Sequence, residues 1–181
     1  YSSGTTGKPK GIMLSHKNLS SNAKALSKAW GFSNEDRLLH ALPIYHVHGL
    51  FIALGPVLLT GASMSWHTRF DVDSVMRTLI ECTVMMGVPT YYTRLLDNAT
   101  LTPKYCKNMR VFICGSAPLL PETFKEFEIR TGHPILERYG MTETGINASN
   151  PLIGKRMAGT VGQVLPGTTA RIVDDAGKNV A

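Results

Sequence analysis

Apolar and polar positions along this chain follow two rhythms, and the switches between them mark its elements. After Asp71, the residues Val72, Val75, Met76, Leu79 and Ile80 recur at helical spacing while Asp73, Arg77 and Glu81 fall opposite. That pattern predicts an amphipathic helix capped by Asp71. Ser15 caps another, with Leu19, Ala23, Leu26 and Trp30 on one face and Gly31 at its end. Residues 37–42 and 61–66 read as strands, and the apolar stretch 47–59 reads as a buried helix bent near Gly55-Pro56. Farther on come a β-branched strand at 83–87, a helix from Pro89 to about Asn98, a strand at 110–114, a helix from Pro121 to Gly132 with Phe124 and Phe127 inward, and a strand at 134–139. Short strands are expected at 12–14 and 168–173. Alternating β and α elements predict an α/β fold, a parallel sheet flanked by helices, over residues 1–154. Residues 155–181 change to turns and short strands and read as the start of a β-rich subdomain.

Composition narrows the classes. With 181 residues, 43% hydrophobic and 18% charged, the chain suits a globular domain with its own core. The balance of 19 basic against 13 acidic residues gives +6, which fits an anionic partner. No basic run exceeds two adjacent residues, which argues against nucleic acid. No apolar run approaches the ~20 residues of a membrane helix. Cys82, Cys106 and Cys114 are odd in number and lack metal-ligand spacing, so they read as reduced, buried thiols of a cytoplasmic or organelle-matrix protein. Because the chain opens on Tyr1 and on a loop with no strand before it, an excised internal piece is expected.

That opening loop carries the first chemistry. YSSGTTGKPKG (1–11) combines glycines that adopt positive φ, backbone amides and hydroxyls free to donate, and Lys8 and Lys10 as charges. Such a loop suits phosphate, although its composition alone fits a flexible linker equally. It is not a Walker A loop, since two residues separate Gly4 from Gly7 and Pro9 follows Lys8.

The order of its residues resembles the signature loop of the adenylate-forming superfamily, which includes acyl-CoA synthetases, luciferases and peptide-synthetase adenylation domains. ERYGMTET (137–144) resembles that family's later motif. LPIYHVHG (42–49), GVPT (87–90), GSAPL (115–119) and GTVGQVLPG (159–167) extend the likeness across the chain. His48 and the run VPTYYTR ending at Arg94 make it most similar to the malonyl-CoA synthetase group.

The resemblance implies roles residue by residue. Ser2, Ser3, Gly4, Thr5, Thr6, Gly7, Lys8 and Lys10 would hold the ATP phosphates. Gly115, Ser116, Ala117, Pro118, Glu137, Arg138, Tyr139 and Gly140 would border the adenine. Thr142 would donate to the α-phosphate, Glu143 would bind magnesium, and His46 would lie near the acyl-adenylate. For the acid, His48 and Arg94 are the expected partners, because a guanidinium grips a second carboxylate in bidentate fashion. ATP, magnesium and CoA are the implied cofactor and co-substrates, and a small carboxylic acid the partner. A zinc site at His46 and His48 lacks a third ligand.

The function expected is that of an ATP-dependent acid:CoA ligase core, acting on a short dicarboxylic acid such as malonate. The piece alone is expected to be inactive, since the family's ribose-binding residues and mobile-domain lysine have no match in it. Alternatives are a medium- or long-chain fatty acyl-CoA ligase, a non-catalytic ATP-binding module and a purely structural domain.

Overall fold

The computed structural model describes residues 1, 2 and 7–180. Among them, helices α1 (His16–Ala29), α2 (Leu54–Thr60), α3 (Val72–Leu79), α4 (Pro89–Leu96) and α5 (Pro121–Thr131) flank one seven-stranded sheet. Its strands are β1 (Arg37–His40), β2 (Ser63–Trp66), β3 (Val84–Gly87), β4 (Val111–Cys114), β5 (Leu136–Met141), β6 (Gly145–Ser149) and β7 (Gln163–Val164). They lie in the order β2-β1-β3-β4-β5-β6-β7. The first five run parallel, and β6 and β7 add antiparallel strands at one side.

Local chemistry sets the helix ends. Ser15 and Asn18 form a capping box, with Asn18 N–H donating to Ser15 Oγ at 3.1 Å and Ser15 N–H to Asn18 Oδ1 at 2.9 Å. Asp71 Oδ1 accepts from Ser74 N–H at 2.9 Å, and proline opens α4 and α5. Gly61 and Gly132 end α2 and α5 in left-handed backbone.

Period-two alternation divides the sheet's side chains. Leu39, Met85 and Phe112 meet α3, α4 and α5 on one face, and Leu38, Val84, Met86, Val111 and Ile113 meet α1 and α2 on the other. Both faces of the parallel strands are therefore apolar, as the strands' composition requires. Below the sheet, at the start of β1, Asp36 takes a bidentate pair from Arg110 at 2.7 and 2.8 Å, plus Thr83 Oγ1 at 2.7 Å and Ser33 N–H at 2.9 Å.

Three sequence expectations fail. Residues 12–14 form no strand, because no neighbouring chain offers them a ladder. Residues 168–173 make only an isolated bridge, Val173 with Asn179, while Gln163–Val164 is the stretch that joins the sheet. The segment 47–59, expected as a buried helix, is helical but buried on one side only, with Leu50, Leu58 and Leu59 exposed. It winds as a π-helix over His48–Ala53 and tightens to α from Leu54. Gly49 makes this possible, since a Cβ there would strike the Pro43 carbonyl.

Candidate active site

Parallel strands bind ligands beyond their carboxyl ends, where the strand order reverses. Here the reversal lies between β1 and β3, and a cleft of about 500 Å³ opens over it. Pro43 and His46 follow β1, Val88 and Tyr91 follow β3, and Ser116 follows β4; together with His48, Arg138 and Gly140–Glu143 they line the cleft. A second cavity, about 390 Å³, lies on the far side of Ser116, Arg138 and Gly140 and shares those three residues. Its remaining walls include Ala117, Pro118, Glu137, Tyr139, Gly159 and Val161.

The cleft has a built polar wall. His48, first residue of the π-helix, is buried, and its Nδ1 meets Ser116 Oγ at 3.1 Å while its Nε2 has no partner among the described residues. Burial pushes its pKa well down, and Arg138, His40 and His46 push it the same way, so the free ring is neutral. Arg138, on β5, is 5% exposed, and its Nε and Nη2 are unpaired among the described residues. Burial lowers its pKa to about 10, which leaves it charged at neutral pH. Its guanidinium lies against Gly115, where a Cβ would overlap it. Buried polar groups are almost always paired. These nitrogens line a cleft, where an anion would satisfy the Arg138 N–H groups, and His48 Nε2 as well when the Ser116 hydroxyl donates to Nδ1 and the ring proton sits on Nε2.

Ser116 holds the two cavities together under strain. Among the described residues it is the only non-glycine with positive φ, at 72°, a conformation that persists where surroundings over-determine it. Tyr91 forms the opposite wall, with its hydroxyl on the Ala41 carbonyl at 3.0 Å and its ring stacked on Phe70 at 3.9 Å.

Thr142 and Glu143 occupy the turn between β5 and β6 at the cleft's rim. Glu143 is exposed, and among the described residues nothing bonds to its carboxylate. A lone free carboxylate fits magnesium, which keeps most of its ligands from water and phosphates. Among the described residues no cluster of three metal-ligating side chains occurs.

Not every expected residue joins the cleft. His46 lines it from an exposed position. Of the opening loop, Ser2 and Lys10 pair as an antiparallel bridge at 2.9 Å and Gly7 has φ +86°, while Lys8 is exposed. Ser3, Gly4, Thr5 and Thr6 lie outside the described residues. Arg94 is exposed on α4, its guanidinium 5.0 Å over the Phe70 ring, and is not among the residues lining the cleft. The carboxylate of Glu137 accepts Gly159 N–H at 2.9 Å, so it binds a loop across the second cavity. Burial raises its pKa, held back by the Gly159 and Leu119 amides.

Sequence reasoning placed Arg138 only beside adenine and passed over Tyr91. The signal for Tyr91 was its place in the first turn of a helix that starts at the cleft, and for Arg138 it was its place two residues after Leu136, on the same face of the strand.

Known proteins share this geometry. The chain is 40% identical over 195 residues to the malonate–CoA ligase of Arabidopsis thaliana, covering 97% of this chain and 32% of that protein. The crystal structure of ATP-bound MatB from Rhodopseudomonas palustris superposes with a TM-score of 0.97 at 52% identity, over 100% of this chain and 36% of that one. A malonyl-CoA ligase bound to methylmalonyl-CoA and AMP gives 0.86 at 40% identity, over 92% and 37%. The chain thus spans about a third of the relatives it matches. Among the described residues no helix is long and apolar enough to cross a membrane. The profile of the AMP-binding enzymes matches residues 1–181, the whole of the sequence, and the chain belongs to that family.

Proposed function

We propose that this chain forms the nucleotide- and acid-binding core of an ATP-dependent acid:CoA ligase whose acid is a short dicarboxylate, malonate fitting best. One observation carries the reading: His48 and Arg138 present unpaired, buried nitrogens to a cleft whose rim holds Thr142 and Glu143. A monocarboxylate would spend its only charge at the reacting centre and leave that wall unsatisfied. A dicarboxylate brings a second charge to it, and leaving buried donors unpaired is what makes such sites discriminate. The relatives named malonate–CoA ligase and malonyl-CoA ligase support the same acid.

In the first step a carboxylate oxygen attacks the α-phosphorus of ATP, the bond to pyrophosphate breaks, and an acyl-adenylate forms. In the second the CoA thiol attacks the acyl carbon, loses its proton to solvent, and AMP departs with the carboxyl oxygen. The chain's part is positioning and charge neutralisation. Thr142 donates to the α-phosphate, Lys8 and Lys10 hold the phosphates with the opening loop, and the second cavity between Ala117 and Tyr139 takes the adenine. Glu143 would hold magnesium, which offsets phosphate charge when bound. His46, at the rim, sits beside the reacting carboxylate. We read residues from 155 on as the start of a β-rich subdomain whose β7 is stitched to the core sheet. Three free, buried cysteines suit the cytoplasm or an organelle matrix.

The test is ATP–pyrophosphate exchange by the full-length protein with malonate, acetate, butyrate and octanoate, followed by thioester formation with CoA. Malonate should dominate. Exchange driven by octanoate alone would make this a fatty acyl-CoA ligase, and ATP binding without exchange for any acid would leave a non-catalytic module.

A further inference from the structure

The turn that carries Thr142 and Glu143 needs an anchor, since β7 and the residue after it reach only residues 147–149 of β6, the last contact being Leu165 N–H to the Asn147 carbonyl at 2.8 Å. Past that point the outer edge of β6 lacks a strand partner, yet Ile146 is 2% exposed. Its backbone groups there would be orphans in the core. Asn22, on the second turn of α1 and 124 residues away, supplies what is missing. Its Nδ2 donates to the Ile146 carbonyl at 2.9 Å and its Oδ1 accepts the Ile146 N–H at 3.1 Å. One carboxamide thereby imitates one residue of a neighbouring strand. Gly145, at φ +70°, lies flat on it, and a Cβ there would come within 2.6 Å of Asn22 Oδ1. Within the hairpin, Gly140 closes against the Gly145 carbonyl with no room for a side chain.

We infer that Asn22 is a positioning residue: it fixes the register of the 141–146 turn from outside and so sets where Glu143 and Thr142 stand. The inference rests on the catalytic reading of Glu143 given above. It also joins two halves of the nucleotide site. Helix α1 begins at the Ser15 cap, five residues after the Ser2–Lys10 bridge closes the opening loop, so the helix that starts at the phosphate loop also holds the metal-binding turn. Asn22 touches no reactant and acts through the turn alone. In sequence it is a polar residue at the edge of the Leu19, Ala23, Leu26 stripe, which is how a helix reaches across to a strand edge.

The experiment compares Asn22→Ala, Asn22→Ser, Glu143→Gln, the Asn22→Ala/Glu143→Gln pair and Trp30→Phe in the full-length protein. Trp30→Phe removes a different bond to β6, the indole N–H to Ser149 Oγ at 3.0 Å, without touching the turn. It calibrates the effect of mere loosening. Hydrogen exchange of residues 141–147 should accelerate in the Asn22 variants and not in Trp30→Phe. The adenylation kcat should fall roughly ten- to a hundredfold, the cost of a small misplacement of reacting groups. The magnesium midpoint should rise while the KM for malonate holds. In the Glu143→Gln background the further loss from Asn22→Ala should shrink to less than about threefold. A loss no larger than that of Trp30→Phe, unchanged exchange at 141–147, or full additivity with Glu143→Gln would overturn the inference. A normal rate for Glu143→Gln by itself would instead sink the reading it rests on.

Discussion

Replacing Arg138 by methionine should stabilise the folded protein and cripple it toward malonate in the same stroke. The side chain is 5% exposed, its Nε and Nη2 have no partner, and burial already lowers its pKa to about 10. A buried polar atom without a partner costs about 1–3 kcal/mol. Methionine keeps the length and flexibility of the stem and removes those atoms, so a net gain of about 1–3 kcal/mol is expected. The effect on substrate has the opposite sign. When a carboxylate sits on the guanidinium, removing one partner of the buried pair leaves the other uncompensated, at about 3–5 kcal/mol. That is roughly two to four powers of ten in kcat/KM for malonate.

The assay is denaturant unfolding of both proteins without ligand, beside pyrophosphate exchange with malonate and butyrate. Butyrate, which brings no second charge, should lose little or improve. Two results would refute the reasoning. Equal loss for both acids would return Arg138 to the adenine, where the sequence motif first put it. A loss of stability would mean that the guanidinium is satisfied in the resting protein and is no vacant anion site.

Two further expectations follow from the geometry. Arg94→Ala should reduce kcat/KM for malonate by less than Arg138→Met does, since Arg94 is exposed over Phe70 and outside the cleft; a larger loss, measured in the same exchange assay, would move the carboxylate to Arg94. At the other end of the sheet, burial raises the Asp36 pKa but the Arg110, Thr83 and Ser33 hydrogen bonds outweigh it and hold the carboxyl below its ordinary 3.8. Its stability is therefore present above pH 3.8 and lost as pH falls through the lower folded value; Asp36→Asn should flatten the acid limb of the unfolding curve, and an unchanged limb would remove Asp36 from acid denaturation.

What was legible in the sequence was local. Ser15, Asp71, Pro89 and Pro121 begin helices through their own hydrogen bonds or fixed φ, and Gly61 and Gly132 end them, so a few neighbouring residues suffice. Strands behave differently, because a strand exists only where a partner is present. Residues 12–14 and 168–173 have strand-like composition and no partner in the sheet, whereas Gly145–Ser149, mostly small residues around Ile146, becomes a strand because β5 lies on one side and Asn22 and β7 complete the other. The π-helix at His48–Ala53 was equally invisible, since it depends on the close approach of Gly49 to Pro43. For the site, motif order identified Thr142, Glu143, His46 and His48 as neighbours, and the cleft brings all four to one wall or rim. Motif order could not say that Arg138 lines both cavities, because that follows from the pleat of β5 and the missing side chain of Gly115.

The two cavities are not independent, and Ser116 shows why. A left-handed serine costs of order 1–3 kcal/mol, and glycine at the same place would cost nothing. Glycine, however, has no hydroxyl to hold His48 Nδ1, which would then join Nε2 as a second unpaired nitrogen in the core. Alanine would keep the strain and lose the bond. Serine alone among small residues sets the histidine ring and stays out of both cavities, and the residue before it must be glycine so that Arg138 fits beneath. The walls proposed for the acid and the adenine therefore share Ser116, which Gly115 lets stand above Arg138. A reaction that joins a carboxylate to the phosphate of a nucleotide needs its two binding sites held at a fixed separation, and a segment this constrained, on the end of a strand buried on both faces, is a physical means of holding it.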